Sequence, residues 1–374
     1  MRIGLGVAKA IGGQGDTTGI GVYTRNLWEQ LGRRSDVCVT PVDGFGNRAA
    51  VDSARESFSF PWRYGPSAAM TTLTGCSFPG ARRLHERIDV YHATDYWIPR
   101  LRGTPVVATL HDAIAVSHPE WAPPRHRWVK NALLKSSARW ADAVVTVSAA
   151  MVPEIVEYFG VSADRISVVH NGISSEWLDR VDSRQSAATL QRHGLESGYV
   201  LTVGTLQPRK NLGRLLKAHA AMSPEYKRLH PLLVVGSQGW VSDEEMEMLV
   251  AAAARRQAIW LQHVPEADLK AIYQNACALA VPSLYEGFGL PLIEGFASAI
   301  PVLTSDAASL SEISGGAALL VDPLDVEAIA DGLKRIVADP GLRKELVERG
   351  NKRIHDFSWQ RCAAQTIDVY RKVF

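Results

Sequence analysis

The chain has 374 residues, 46% of them hydrophobic, which exceeds one ordinary hydrophobic core and predicts two domains. Charged residues make up 21% of the chain and the formal net charge is +2, which excludes an intrinsically disordered chain and a general nucleic-acid binder. The four cysteines are scattered without a Cys-x-x-Cys pair, which indicates free thiols in a reducing compartment.

The N-terminus predicts a short strand over residues 2–8, followed by a glycine-rich loop that ends at Gly21. The strand is too short and too rich in glycine for a signal peptide, and no apolar run approaches the ~20 residues of a membrane span. We therefore expect a cytoplasmic protein. Residues 22–32 have helical spacing and end on a glycine. A glycine loop between a strand and a helix suits a bound phosphate, although no dinucleotide or P-loop pattern is present.

Residues 37–42 predict a second strand, and residues 43–80 read as irregular. This region contains several aromatic residues, Phe58, Phe60, Trp62 and Tyr64 among them. A long connection with aromatic side chains is either a binding loop or a satellite cluster of the core, and the sequence leaves both open.

Polar residues end the next two predicted strands, which cover 88–97 and 105–112. The ends of parallel strands face the ligand crevice of an open sheet, so these side chains are expected to line one cleft. They are His92, Asp95, His111 and Asp112. A histidine and an aspartate at a strand end serve as a general base, as metal ligands or as loop caps.

The segment 121–140 combines tryptophans with basic residues. Between 97 and 140 there are seven Lys or Arg residues against two acidic ones. This pattern suits an anionic membrane surface or a pyrophosphate-bearing lipid acceptor. The alternative is a solvated helix whose Val129, Leu133 and Trp140 face the core.

A strand at 143–148, a helix at 151–159 and a strand at 166–173 complete the first α/β set, and the linker is expected near 172–190. The second set begins with the strand 199–204. Arg209 and Lys210 follow it and precede a helix, where two adjacent cations can clamp a diphosphate.

The most informative stretch is Glu286-Gly-Phe-Gly-Leu-Pro-Leu-Ile-Glu294, which follows the apolar run 278–281. It reads as strand, glycine turn and helix, and the glycines let main-chain amides approach a bound group at the helix start. The glutamates lie eight positions apart, so each can accept hydrogen bonds from a different part of one long ligand. The alternative is an ordinary connection with a solvated acid at either end.

Strands are also predicted at 232–236, 259–264, 301–304 and 317–321, with helices at 269–276, 325–338, 342–355 and 359–374. This alternation predicts an α/β protein with mostly parallel sheets in two doubly wound domains.

Four motifs together resemble the retaining glycosyltransferases of family 4. The glutamate pair of 286–294 looks like their E-x7-E signature, and 204–211 resembles G-x-x-x-x-R-K-N. Residues 19–27, Gly-Ile-Gly-x-Tyr-Thr-Arg-Asn-Leu, resemble the donor-diphosphate loop, and Thr-Leu-His-Asp at 109–112 matches the position of a family histidine. Ser174 stands where the family usually has an acidic residue, so no role is carried over to that side chain.

The resemblance implies the GT-B fold, with two Rossmann-like domains facing a central cleft. The expected domains are an acceptor-side domain over 1–175, joined by the last helix 358–374, and a nucleotide-sugar domain over 176–357. It also implies a hexosyltransferase that retains the anomeric configuration and needs neither a metal nor a cofactor. Similarity to bacterial mannosyl- and rhamnosyltransferases of O-antigen or exopolysaccharide synthesis favours a GDP-sugar donor. The acceptor is then a glycan or a polyprenyl-diphosphate-linked glycan, and the protein is expected in the cytoplasm or peripherally at the inner face of the plasma membrane.

By the same resemblance, Arg209, Lys210 and the amides near Gly21 stabilise the leaving diphosphate, and His111 orients donor or acceptor. Glu294 holds the ribose, and Glu286 with the following amides holds the sugar. The predicted catalytic residues are His111, Glu286, Arg209 and Lys210. The predicted donor-binding residues are Gly19, Ile20, Gly21, Val264, Gly287, Phe288, Gly289, Leu290 and Glu294. The alternatives are a UDP-sugar transferase, an epimerase or phosphorylase on the same scaffold, and a binding module without catalysis.

Overall fold

A computed structural model of the protein describes residues 1–8, 18–45, 57–121 and 127–374. The predicted glycine loop before residue 18, part of the 43–80 region and Arg125 of the basic segment lie outside the described residues. The chain forms two compact units: the first is Met1–Gly172 with Trp359–Phe374, and the second is Ile173–Ser358. Which unit binds donor and which binds acceptor stays a prediction.

The described strands of the first unit are β1 Arg2–Gly6, β2 Cys38–Phe45, β3 Phe58–Phe60, β4 Val90–Ala93, β5 Val106–Leu110, β6 Ala143–Thr146 and β7 Ile166–Val168. They form a parallel sheet in the order β3-β2-β1-β4-β5-β6-β7. The inner strands β4, β5 and β6 are buried along their whole length, as expected of a parallel sheet that helices cover on both faces. The helices are Gly19–Gly32, Tyr64–Thr74, Ala81–His85, Ile114–Ser117, Arg127–Ala138, Met151–Glu154 (continued by a π-helical turn, Ile155–Phe159) and Trp359–Val373.

The strands of the second unit are β8 Val200–Val203, β9 Leu232–Val235, β10 Ala258–Leu261, β11 Ala278–Val281, β12 Val302–Ser305 and β13 Leu319–Val321. They form a parallel sheet in the order β10-β9-β8-β11-β12-β13. The helices of this unit are Ser183–His193, Leu212–Ala220, Pro224–Leu229, Asp243–Ala254, Glu266–Gln274, Leu290–Ala297, Ala308–Ser314, Val326–Ala338 and Pro340–Arg353. The doubly wound α/β fold predicted from the sequence is confirmed in both units.

Each sheet reverses its strand order at one point, between β1 and β4 in the first unit and between β8 and β11 in the second. In open parallel sheets, ligands bind outside the carboxyl ends of the strands at such a switch point. The segments that follow these four strands are therefore the places to look for a site.

The core of the first unit explains one wrong prediction. His92 was expected to line a cleft, but it is fully buried on β4 and bonds Tyr370 Oη at 2.7 Å and Thr109 Oγ1 at 2.8 Å. Tyr370 lies on the final helix, Trp359–Val373, which packs in the same core cluster as the helix Gly19–Gly32. His92 therefore ties that helix to the sheet, and its burial lowers its pKa to about 3, so it stays neutral.

The region 43–80 is more regular than predicted, because β3 and the helix Tyr64–Thr74 lie within it. Of the two alternatives left open, the described aromatic residues favour the core cluster. Phe60 stacks on Phe45 at 4.8 Å, and Tyr64 meets Phe45 edge-on at 5.1 Å. Trp62 is the exception, since it is 53% exposed.

The basic segment contains the helix Arg127–Ala138, but the residues expected to face the core are partly wrong. Val129 is exposed, and Leu134, Ser137 and Ala138 are the buried positions instead. Trp128 is 79% exposed. Among the described residues, we find no helix with both the length and the apolar character to cross a membrane.

Candidate functional site

The loop after β8 brings two cations to the switch point of the second unit. Gly204 directly follows β8; its φ of +142° disfavours other residues, and a Cβ there would lie 3.1 Å from Lys210 Cε. Glycine thus leaves room for the lysine side chain to cross the loop. A single 3-10 turn, Pro208–Lys210, then presents Arg209 and Lys210 immediately before the helix Leu212–Ala220.

Asn211 attaches this loop to the segments that follow two other strands of the same sheet, β11 and β13. It is 2% exposed and adopts a left-handed φ of 60°, which asparagine tolerates better than most residues. Its Nδ2 donates to the carbonyls of Pro282 at 2.9 Å and Pro323 at 2.6 Å. The loop after β8 is therefore held against the loop after β11, across the switch point.

Glu286 joins the two cations. Arg209 donates through one guanidinium nitrogen to Glu286 Oε2 at 2.6 Å, and Lys210 Nζ donates to Glu286 Oε1 at 2.6 Å. The hydroxyl of Ser283 donates to Oε1 at 3.0 Å. Glu286 is 7% exposed, and the two cation side chains are 20% and 16% exposed, so the three charges form a partly buried cluster.

The electrostatics of the cluster follow from that burial. Burial alone would raise the pKa of Glu286, but Arg209 and Lys210 outweigh it and lower the pKa to about 2. Burial lowers the pKa of Lys210 from its usual value and the nearby Arg209 lowers it further, while Glu286 acts in the opposite direction. Two positive charges against one negative charge leave the cluster with a net attraction for an anion.

The turn after Glu286 leads directly into the helix Leu290–Ala297. Gly289 is its N-cap with a φ of +97°, and no side chain caps the helix start. The main-chain carbonyl of Glu286 accepts a hydrogen bond from the buried Ser309 hydroxyl, which fixes the turn. First-turn amides of a helix lack acceptors within the helix, so the helix start at Leu290, directly after the turn Gly287–Gly289, suits an electronegative ligand group.

Glu294 lies one turn inside that helix and has a partner that the sequence did not reveal. Tyr273 Oη, on the helix Glu266–Gln274, donates to Glu294 Oε2 at 2.6 Å. The Tyr273 ring is fully buried and meets Trp177 edge-on at 5.3 Å. Burial raises the pKa of Glu294, and the hydrogen bond from Tyr273 and the charge of Lys210 pull it back down. Tyr273 therefore fixes the orientation of the Glu294 carboxylate through one of its two oxygens.

Tyr273 and Ser283 were both missed because residue type and spacing do not reveal their contacts with the glutamates. Tyr273 belongs to an amphipathic helix in which a tyrosine reads as a core residue. Ser283 lies in the stretch that carries the glutamates, but its bond to Glu286 depends on how the turn folds. Val264 follows β10, at the same edge of the sheet but separated from β8 by β9.

In the first unit, the predicted residues Gly19, Ile20 and Gly21 belong to the first turn of the helix Gly19–Gly32 rather than to a loop. Thr18 caps this helix, and its Oγ1 accepts the Gly21 amide at 3.3 Å. The Gly21 amide therefore already has a hydrogen-bond acceptor, Thr18 Oγ1. The amides of Gly19 and Ile20 lie at the start of the helix, where an anion can accept hydrogen bonds from them.

His111 follows β5 and lies close to that helix, since its ring meets the Tyr23 ring edge-on at 4.8 Å. Its Nε2 is 3.0 Å from the carbonyl oxygen of Thr94. A carbonyl only accepts, so Nε2 carries the proton and Nδ1 is the basic nitrogen. Burial lowers the pKa of His111, and the bond to Thr94 and the charge of Asp112 oppose that shift, so the ring is neutral near pH 7.

Asp95 and Asp112 act as caps, one of the three alternatives raised for this strand-end group. Asp112 Oδ1 accepts from the amide of Ile114 at 3.1 Å and from Tyr96 Oη at 2.8 Å. Asp95 Oδ1 accepts from the amide of Trp97 at 2.9 Å. Over residues 1–8, 18–45, 57–121 and 127–374, no three His, Cys, Asp or Glu side chains gather as metal ligands would.

The structure thus brings Arg209, Lys210 and Glu286 into direct contact within the second unit, and places Glu294 on the helix that the same turn begins. Within the first unit it brings His111 to Tyr23, on the helix that begins at Gly19. The cations and Glu286 follow β8 and β11, the two strands that flank the switch point of the second sheet. In the first unit the helix Gly19–Gly32 comes after β1, which flanks the switch point, whereas His111 follows β5, the neighbour of β4.

Two protein-family models match the chain, one in each half. Residues 17–177 match the model described as Glycosyltransferase Family 4. Residues 189–353 match the model described as Glycosyl transferases group 1, and this range contains the cation pair and both glutamates.

Individual proteins agree with the family models. The O-antigen chain mannosyltransferase B of Escherichia coli is 35% identical over 285 residues, which are 75% of this chain and 74% of that protein. A glycogen synthase of Mycobacterium tuberculosis is 30% identical over 301 residues, 76% of this chain and 69% of that protein. Among solved structures, a sucrose-phosphate synthase from Thermosynechococcus elongatus matches with a TM-score of 0.74 at 21% identity, covering 100% of this chain and 99% of that one. The structural likeness shows the fold, which is GT-B.

Proposed function

The chain belongs to the glycosyltransferases of group 1 and family 4, and we propose that it moves a mannose or rhamnose from a GDP-sugar to a hydroxyl of a glycan acceptor with retention of anomeric configuration. The observation that carries this proposal is the contact of Arg209 and Lys210 with Glu286 at the switch point of the second unit. Such a cluster combines a net positive charge with one carboxylate, which suits a ligand with a diphosphate at one end and hydroxyls at the other.

In the proposed reaction, the bond between the sugar's anomeric carbon and the β-phosphate oxygen breaks as the acceptor oxygen bonds to the same carbon. Negative charge then builds on the departing diphosphate, where Arg209 and Lys210 stabilise it in a partly buried setting. The leaving phosphate accepts the proton of the acceptor hydroxyl. Glu286 already accepts from two cations, so it is better suited to hold sugar hydroxyls than to attack carbon as a nucleophile.

Other residues of the second unit would bind the parts of the donor that lie on either side of the diphosphate. The sugar would lie against the main-chain amides of Gly287, Phe288, Gly289 and Leu290. Glu294 would accept from the ribose hydroxyls through the oxygen that Tyr273 does not occupy. The main chain at Val264 would meet the base. The assignments of Gly19, Ile20, Gly21 and His111 to the same donor remain predictions from the family resemblance.

Mannose is favoured by the identity to the E. coli O-antigen chain mannosyltransferase, and GDP as its carrier is the expectation from the family resemblance. The same relative favours a glycan acceptor of cell-surface polysaccharide synthesis. We expect transfer to proceed without a bound metal, because the two cations supply the charge that would otherwise be needed at the diphosphate; full activity after EDTA treatment would support this.

Contact with a membrane is a further part of the proposal. Trp128 is 79% exposed on the basic helix Arg127–Ala138, where an aromatic ring beside cations suits a lipid interface. Co-sedimentation with vesicles that contain anionic phospholipid, lost on Trp128→Ala, would support it.

A UDP-sugar donor is the second candidate; the similarity to a glycogen synthase favours glucose over mannose as the transferred sugar and does not specify the base. Thermal shift against GDP, UDP, ADP and dTDP separates the two, because a ligand at 100 times its Kd adds roughly 2.7 kcal/mol. NMR of the product from α-linked GDP-mannose tests the chemistry. An α-linked product supports retention, a β-linked product refutes it, and an altered free donor would indicate an epimerase.

A further inference from the structure

We propose that Trp97 is the platform on which a sugar ring of the acceptor packs. This inference rests on the proposed function and names a subsite that neither the sequence motifs nor the donor residues include. Trp97 follows β4, at the switch point of the first unit, where a doubly wound sheet receives ligands.

The Trp97 ring is held firmly although 39% of the residue is exposed. It stacks on Tyr64 with ring centroids 5.7 Å apart and an interplanar angle of 13°, and it meets Phe45 edge-on at 6.0 Å. Its amide donates to Asp95 Oδ1 at 2.9 Å. A large aromatic side chain fixed by stacking, with part of its surface open, offers a flat apolar area at little cost in conformational entropy.

Hydrogen bonds tie the Trp97 loop to the segment that carries His111. The carbonyl of Thr94 accepts from His111 Nε2 at 3.0 Å. Tyr96 Oη donates to Asp112 Oδ1 at 2.8 Å and also receives the Asp112 amide at 3.2 Å. The ring therefore keeps a fixed position relative to His111, which is proposed to orient donor or acceptor.

The surrounding chemistry indicates a neutral hydroxylated ligand. Asp95 and Asp112 cap the two strand-end loops through their Oδ1 atoms, and their negative charges disfavour an anionic ligand near Trp97. A flat aromatic surface in such a setting matches a neutral hexose ring, which has C–H groups on its faces and hydroxyls at its rim. A lipid chain or an anionic headgroup would gain nothing from the two carboxylates.

The test compares two substitutions in the full chain. Trp97→Phe keeps a flat ring, whereas Trp97→Leu keeps apolar volume against Tyr64 and Phe45 without one. With GDP-mannose as donor and mannobiose as a water-soluble acceptor, we expect Trp97→Leu to raise the acceptor KM about tenfold and Trp97→Phe to raise it much less. The donor KM and the slow release of GDP without acceptor should stay at wild-type values for both.

Trp128→Ala is the matched control, because it removes a more exposed tryptophan of the same unit and, with no lipid present, should leave the acceptor KM unchanged. Saturation-transfer NMR with mannobiose alone tests Trp97 separately from the donor. If wild type releases no GDP from GDP-mannose, the donor assignment fails, while the NMR signal still reports on this subsite. Unchanged mannobiose binding and KM in Trp97→Leu, or an equal loss in Trp128→Ala, would overturn the proposal.

Discussion

Lys210 Nζ donates to Glu286 Oε1 at 2.6 Å, and Arg209 donates to the other oxygen of the same carboxylate. One glutamate thus orients both cations that are proposed to meet a diphosphate. It also neutralises one of their two charges, so an incoming anion competes with Glu286 for the same donors. Glu286 therefore has two effects, since it fixes the geometry of the cations and weakens their pull on the ligand.

Replacing Glu286 should change how stability depends on pH. Arg209 and Lys210 overcome the effect of burial and lower its pKa from 4.5 to about 2. This carboxylate therefore stabilises the fold above pH 4.5, and its contribution is lost as the pH falls towards 2. We expect Glu286→Gln to lower the free energy of unfolding at pH 7 by on the order of 3 kcal/mol, and by much less at pH 3.

Urea unfolding of wild type and Glu286→Gln at pH 7, 5 and 3 measures this difference. Glu247→Gln is the control, since it makes the same chemical change on an exposed side chain of the same unit. A difference between wild type and Glu286→Gln that stays constant from pH 7 to pH 3 would contradict the ion pair.

Removing the Tyr273 hydroxyl should make donor binding more sensitive to acid. Burial raises the pKa of Glu294, and the hydrogen bond from Tyr273 lowers it. Without that bond the pKa rises further, so the carboxylate takes up a proton at a higher pH and ceases to accept from ribose. We expect the donor KM of Tyr273→Phe to rise with falling pH, starting at a higher pH than in wild type. If the donor KM of wild type and of Tyr273→Phe depends on pH in the same way, Tyr273 contributes only packing.

Two substitutions of His111 should separate its two nitrogens. Asparagine places an amide group near the position of Nδ1, while glutamine reaches the position of Nε2 and keeps the bond to Thr94. Because Nδ1 is the nitrogen that would meet the substrate, we expect His111→Asn to lose about tenfold in kcat/KM and His111→Gln about a hundredfold, or about 1.4 and 2.7 kcal/mol. The reverse order in steady-state assays would assign the role of His111 to Nε2.

Gly289 should tolerate no side chain. Its φ is +97°, and a Cβ would lie 2.6 Å from Leu310 Cδ2. Gly194 also has a positive φ, of +63°, but nothing lies within 4 Å of a Cβ there. We expect Gly289→Ala to lower the free energy of unfolding by about 2–4 kcal/mol, and Gly194→Ala by about 1 kcal/mol, in urea titrations. Equal losses would mean that only the backbone conformation matters at Gly289.

The sequence predicted the fold class, and it predicted that the cations and Glu286 lie near each other, because both predictions depend on patterns visible in short stretches of the chain. Strand-helix alternation specifies a doubly wound sheet, and such a sheet collects the segments that follow its strands at one edge. The loop after β8 and the turn after β11 meet for that reason, although Lys210 and Glu286 lie 76 positions apart in the chain.

The errors come from side chains whose surroundings depend on packing between distant elements. His92 ends a predicted strand like the other polar residues, but the final helix covers it with Tyr370. Nothing in residues 88–97 signals that helix. Tyr273 is the opposite case, a residue that the sequence assigns to the core and that the structure places against a predicted site residue. Its hydroxyl reaches Glu294 only because two helices pack together. The 43–80 region was misread because glycine, proline and serine obscured a short helix.

The most direct measurement is the affinity of GDP for Lys210→Ala, by isothermal titration, together with its rate of sugar transfer. Lys217→Ala is the control, because Lys217 lies on the next helix, is 54% exposed and pairs only at 3.7 Å with Glu244. The account predicts that Lys210→Ala stays folded, binds GDP at least about tenfold more weakly than wild type and loses transfer, while Lys217→Ala behaves like wild type. Undiminished GDP affinity and turnover in Lys210→Ala would contradict it.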